Sequence, residues 1–132
     1  MNENRKAIES ALELLKEIVY DLGGYDYIFL VTDILARIQY CFSNVKDLPE
    51  YFMLDSSWDE VNMGHTALSL AIKEKKLSYV GCKDHTNSDL KKYFSLAAPF
   101  YDGRGRMIGY LAFLGNPQAE KLNLAKGMVK AC

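Results

Sequence analysis

The stretch Phe94-Ser95-Leu96-Ala97-Ala98-Pro99-Phe100-Tyr101-Asp102-Gly103-Arg104-Gly105-Arg106-Met107-Ile108-Gly109-Tyr110-Leu111-Ala112-Phe113-Leu114 decides the fold. Two largely apolar runs, 94–101 and 107–114, flank Asp102-Gly103-Arg104-Gly105. Asp bonds readily to backbone just ahead of it and Gly accepts a positive φ, so the four residues read as the turn of a β-hairpin. The apolarity of both arms is nearly continuous rather than alternating. That pattern predicts strands covered on both faces of their sheet.

Working outward, 27–32 and 38–42 read as two further strands rich in β-branched and aromatic residues, joined by the short connection Asp33-Ile34-Leu35-Ala36-Arg37. Ser57 and Glu60 fit a capping box that opens a short helix at Trp58, and Gly64 breaks it. Thr66 begins a second helix with Ala67, Leu68, Ala71 and Ile72 as its buried side. A short strand follows over 77–80. Next comes a polar loop over 81–87 holding His85, and then a brief helix capped by Ser88.

At the ends, Ile8, Ala11, Leu15, Ile18 and Leu22 form an apolar seam at three-four spacing, closed by Gly23-Gly24. Leu122, Ala125, Val129 and Cys132 repeat that spacing after Asn116-Pro117, a good helix start. The order predicts an α+β domain: a mainly antiparallel sheet, terminal helices over about 5–22 and 117–132 on one face, and short helices and loops roofing a pocket on the other. All of 1–132 reads as one domain with its core over about 20–116.

Composition agrees with a single soluble domain. The chain has 132 residues, 49% hydrophobic and 25% charged, an ordinary globular balance. Its 16 Lys and Arg against 17 Asp and Glu leave a net charge of -1, which argues against a nucleic-acid surface. No apolar run approaches the roughly 18 residues of a membrane span. The charged start at 1–6 leads into an amphipathic segment, not a signal-peptide core. Three cysteines, an odd count without a Cys-x-x-Cys pair, do not make a disulfide framework. These features predict a cytoplasmic protein with no membrane contact.

Several segments in register carry a family resemblance. Trp58-Asp59-Glu60 followed by Gly64-His65-Thr66-Ala67-Leu68-Ser69-Leu70-Ala71 resembles the Trp-x-Glu and Gly-Thr-Asn-Ala-(Leu/Ile)-Gly run of a subgroup of GAF domains. That subgroup stands at the N-termini of sigma-fifty-four-dependent transcriptional regulators. Asp84-His85-Thr86 resembles its Glu-His-Tyr, and Tyr93-Phe94-Ser95-Leu96-Ala97-Ala98-Pro99-Phe100 its Trp-Thr-Cys-Ser-Ala-Ala-Pro-Ile. Asp102 to Gly109 is similar to its Asp-x-x-Gly-x-(Val/Ile)-Ile-Gly turn and strand. The departures gather around the expected pocket: His65-Thr66 for Thr-Asn, Thr86 for Tyr, and Phe94-Ser95-Leu96 for Thr-Cys-Ser. Ala36 also stands where the first hairpin usually has Gly. Held left-handed there, it costs about 1–2 kcal/mol unless the turn is rebuilt.

The resemblance implies a GAF/PAS-like, non-enzymatic sensor of an unidentified small molecule, dimeric through its terminal helices, that signals to a downstream transcriptional module. It implies ligand contacts from Trp58, His65, Thr66, His85, Tyr93 and Ser95. The aromatics would supply area and the other four polar anchors. Trp58, Tyr79, Tyr93 and Phe94 are expected in or beside the roof of the pocket, where they could stack on a flat ligand or fill the space themselves. Two histidines twenty residues apart carry no ligand spacing, so neither a metal nor a cofactor is expected. Gly103-Arg104-Gly105 joins two strands and so lacks the helix N-terminus of a phosphate loop. Two alternatives remain: a ligand-free dimerisation or interaction module, and a small redox enzyme using Cys41 and Cys82.

Overall fold

A computed structural model of the chain describes residues 26–116, together with the helical positions Lys6, Glu9, Ser10 and Glu13. The expected terminal helices otherwise lie outside the described residues, and so does the dimer seam drawn from them. The described chain forms β1 (Tyr27–Thr32), β2 (Ile38–Ser43), α1 (Glu60–Met63), α2 (Ala67–Glu74), β3 (Ser78–Val80), β4 (Phe94–Tyr101) and β5 (Met107–Gly115). Single 3-10 turns occupy Glu50–Phe52, Cys82–Asp84 and Ser88–Leu90. The five strands make one sheet in the order β2-β1-β5-β4-β3 with every neighbouring pair antiparallel. This is the α+β architecture expected, and it is consistent with a GAF/PAS-like fold.

The order puts β1 and β5, from opposite ends of the described chain, side by side at the centre. All six residues of β1 are buried, so both of its faces are covered. Alternation along the strands divides their side chains between two layers. Ile28, Leu30, Ala97, Tyr110, Ala112 and Leu114 join Trp58, Met63, Ala67, Leu68, Ala71 and Leu90 in the main core, beneath the middle segments. Tyr27 and Phe29 pack with Phe42 and Phe113 in a second cluster. Phe94 joins this aromatic layer through Phe113, 5.7 Å between ring centres, and Tyr79 joins it through Phe94 at 6.3 Å. Tyr79 and Phe94 therefore lie on the face away from α2 and do not border a pocket roofed by it. A one-residue offset in parity separates Phe94 from Ser95, and parity alone decides which face each occupies.

Both hairpins close with the same device. Asp33 Oδ1 accepts from the Leu35 and Arg37 N–H groups at 2.9 Å each, and Oδ2 accepts from Arg37 Nε at 2.9 Å. Asp102 Oδ1 accepts from the N–H groups of Arg104 and Arg106 at 2.8 and 3.0 Å, and Oδ2 from Arg106 Nε at 2.9 Å. The turn thus needs a left-handed residue just before each Arg, and Gly105 supplies it with φ 79°. Ala36 adopts φ 64° in the same place, so the first turn is not rebuilt. Its strain of about 1–2 kcal/mol is partly offset by a fully buried methyl, worth about 0.8 kcal/mol, and by its carbonyl accepting from Trp58 N–H at 2.8 Å.

Two helix starts differ from expectation. Asp59, not Ser57, caps α1, its carboxylate accepting from Asn62 N–H at 3.0 Å. Ser57 is instead bridged to Arg37, because segment 55–58 runs as an extra edge beside the start of β2. After β3, Asn87 rather than Ser88 caps the turn, accepting from Asp89 N–H at 2.9 Å. In both cases an Asx side chain already stood one or two residues from the hydroxyl and reached the amide better.

Gly109 tests the central strand pairing, because an added Cβ there would land on the carbonyl oxygen of Thr32 in β1. Gly109→Ala is expected to cost about 3 kcal/mol or more in urea denaturation. Gly105→Ala, where a Cβ meets open space, should cost only the strain of its positive φ, about 1–2 kcal/mol.

Candidate functional site

The start of α2 draws three separate segments together. Gly64 ends α1 with φ 74° and ψ -160°, a conformation essentially confined to glycine. The space its missing Cβ leaves is taken by Thr86 Oγ1, which accepts from His65 N–H at 2.9 Å. Thr66 then caps α2. Its hydroxyl accepts from Ser69 N–H at 3.1 Å while Ser69 Oγ accepts from Thr66 N–H at 2.9 Å, a reciprocal capping box. The next free amide, Ala67 N–H, crosses to β4 and donates to Ser95 Oγ at 3.0 Å. His85 reaches the same oxygen, with Nε2 2.8 Å from Ser95 Oγ.

These bonds are buried. Thr66 and His85 are 1% exposed and Ser95 is 2%. A hydroxyl has one proton and two lone pairs. Ser95 Oγ uses one lone pair on Ala67, and the partner within reach of its proton is His85 Nε2. If Ser95 donates, His85 carries its own proton on Nδ1, which has no hydrogen-bond partner in either tautomer. If Nε2 donated instead, the Ser95 proton would be orphaned as well, which costs more. The bond count therefore assigns the neutral Nδ1–H tautomer. Burial pushes the imidazole pKa down, and nearby His65 adds to this. The carbonyls of Cys82 and Tyr93 and the Asp84 carboxylate pull the other way. Neutral His85 is thus the state that this surrounding favours.

Of the six residues singled out from the sequence, four meet here: His65, Thr66, His85 and Ser95. Trp58 and Tyr93 belong to the adjoining core. Trp58 is 1% exposed, donates its indole N–H to the Tyr51 carbonyl, and packs against Phe52 with ring centres 5.2 Å apart. Tyr93 is buried, which raises its phenol pKa, and the ring lies 5.5 Å below Lys92 Nζ. The sequence reading missed Thr86 and Ser69 as partners. A Ser three residues after a capping Thr is a legible signal for Ser69. Nothing local marks Thr86, whose role arises from contact with Gly64, 22 residues earlier in the chain.

Among the described residues, no group of three or more His, Cys, Asp or Glu side chains could hold a metal ion, and no helix is long and apolar enough to cross a membrane. Cys41 is a free thiol in β2, half-buried, and burial raises its pKa, the opposite of what a reactive thiolate needs.

No protein-family model and no curated protein matches the chain. Among solved structures, it is similar to a chain of the crystal structure of the E. coli DhaR(N)-DhaL complex. The similarity has a TM-score of 0.66 at 21% identity and covers 87% of this chain and 38% of that one. At this identity the likeness concerns the fold alone, and this chain spans well under half of its neighbour's length.

Ser95→Ala should leave the Ala67 amide and His85 Nε2 buried without partners and lower stability by about 2–4 kcal/mol. Thr66→Ala, which removes one cap, should cost about 1 kcal/mol. Parallel denaturation curves of the two variants check the order.

Proposed function

We propose that this chain is a small-molecule-sensing regulatory domain of GAF type, belonging to a bacterial transcriptional regulator and passing its signal to a downstream module. The observation that carries this reading is the junction at the start of α2. Segments 64–66, 85–86 and Ser95 of β4 are held together there by a few side-chain hydrogen bonds. A ligand that exchanged bonds with any of them would shift α2 against the sheet, and differential affinity for the two packings is all that switching requires. In this proposal His65, Thr66, His85 and Ser95 are the polar anchors, with Trp58 and Tyr93 supplying contact area. His65 is the least buried of the anchors and the first that an incoming molecule would meet.

The segments that resemble sigma-fifty-four regulator GAF domains support this, as does the fold shared with the DhaR(N)-DhaL structure. The protein would be cytoplasmic and non-enzymatic, dimeric through its terminal helices, with no nucleic-acid contact of its own.

One observation favours a second reading, an interaction module without a ligand. Thr66, Ser95 and Trp58 already have their hydrogen bonds satisfied within the chain, and the neighbouring structure is a complex with a second protein, DhaL. A regulatory face for a protein partner would be the counterpart here. The redox alternative is disfavoured by the raised thiol of Cys41.

Native mass spectrometry of the purified domain separates these readings. A dimer carrying a small added mass that is shed on denaturation is expected for the sensor. A bare dimer would favour the interaction module, and a bare monomer would count against the terminal-helix seams.

A further inference from the structure

Among the described residues, two side-chain clasps join segment 81–87 to the start of α2, and they differ in kind. Thr86 Oγ1 accepts from His65 N–H on an exposed residue, where water competes for the bond. The His85–Ser95–Ala67 chain is buried, and water cannot replace it. The buried clasp works only while His85 Nε2 is an acceptor, because Ser95 Oγ already receives the Ala67 N–H and has its proton to place.

We infer that His85, Ser95 and the Ala67 amide form an acid-releasable latch: protonation of His85 Nε2 removes the acceptor for the Ser95 hydroxyl and leaves segment 81–87 to the weaker, water-exposed Thr86 clasp. The electrostatics at this position point the same way. A proton on Nε2 would place positive charge beside the N-terminal amides of α2, the positive pole of that helix. The first turn of α2, Ala67-Leu68-Ser69-Leu70, offers no acidic side chain to compensate. Across the α1–α2 junction the facing titratable group is His65, which repels the charge. On His85's own segment the Cys82 carbonyl is the strongest attraction and the exposed Asp84 carboxylate a lesser one, and from the β4 side the carbonyl of Tyr93 adds a smaller one. The cost of burying the charge outweighs them. The charged ring is better accommodated with the segment open and in water.

The sign follows from linkage. The open segment binds a proton near the ordinary imidazole value of about 6.5, and the closed one binds it only at lower pH. Closure is therefore complete above about 6.5 and weakens as pH falls below it. This device operates whether or not a small molecule binds the domain.

The test uses the full chain, titrated from pH 8 to 4.5. Ring nitrogen NMR should show His85 as the Nδ1–H tautomer at neutral pH, with His65→Asn assigning the two histidines. Hydrogen exchange should show the protection factor of the Ala67 amide and of 81–87 falling about tenfold per pH unit once acidification passes the imidazole range. In His85→Gln, whose amide oxygen can accept the Ser95 proton but cannot titrate, protection should stay flat over that interval. A wild-type profile that is flat, a glutamine variant that loses protection in parallel, or an Nε2–H tautomer at neutral pH would each overturn the latch. The two wild-type measurements decide the matter even if the variant fails to fold.

Discussion

The pairing of β4 with β5 governs everything else in this domain, and the Asp102 carboxylate is what sets it. That side chain is almost wholly buried and accepts from two backbone amides and the Arg106 guanidinium at the turn. The Arg106 amide is the largest of the influences that hold its carboxyl below the usual range. Its contribution is present above the ordinary carboxylate pKa, about 3.9, and is lost as pH falls through the depressed value. With the turn held, Ser95 stands opposite Leu114 and Leu96 opposite Phe113. Ser95 then points toward α2, and Phe94 and Leu96 point toward the aromatic layer.

The first hairpin repeats this solution with Asp33, Arg37 and a left-handed Ala36. Because β1 and β4 run the same way in the sheet, both turns lie at the same end of it. Between them β1 and β5 lie close enough that Gly109 has no room for a side chain over Thr32. The central strands are thus defined from both turns and by backbone contact, and the middle segments are laid over a rigid surface.

What lies over that surface is held differently. Short helices with few residues cannot be stable alone, so α1 and α2 depend on caps and cross-links: Asp59 on Asn62, Thr66 with Ser69, Ser95 on Ala67, and Lys73 paired with Glu60 at 2.6 Å. The cover is joined to the sheet by these polar bonds and by the apolar core that Trp58, Met63, Ala67, Leu68, Ala71 and Leu90 share with it. The same polar bonds leave little unused hydrogen-bonding capacity at the junction, which is why His85 stands out there.

The sequence by itself determined the local structure. Apolar runs rich in β-branched and aromatic residues, Asp-Gly turn chemistry and the capping Thr66 marked all five strands within about a residue of their ends and the start of α2, because these signals come from neighbours in the chain. Of the six residues the sequence singled out, the fold brings His65, Thr66, His85 and Ser95 to one junction and leaves Trp58 and Tyr93 in the adjoining core. Where two local signals competed, as Ser57 with Asp59 and Ser88 with Asn87, the sequence could not choose, since both side chains fit a cap and only the path of the chain decides. Tertiary structure alone decided that Tyr79 and Phe94 face away from α2, that Thr86 fills the hollow at Gly64, and that Ser95 receives both Ala67 and His85. Those outcomes depend on register and on contacts between residues ten to twenty-eight positions apart, which no local pattern encodes.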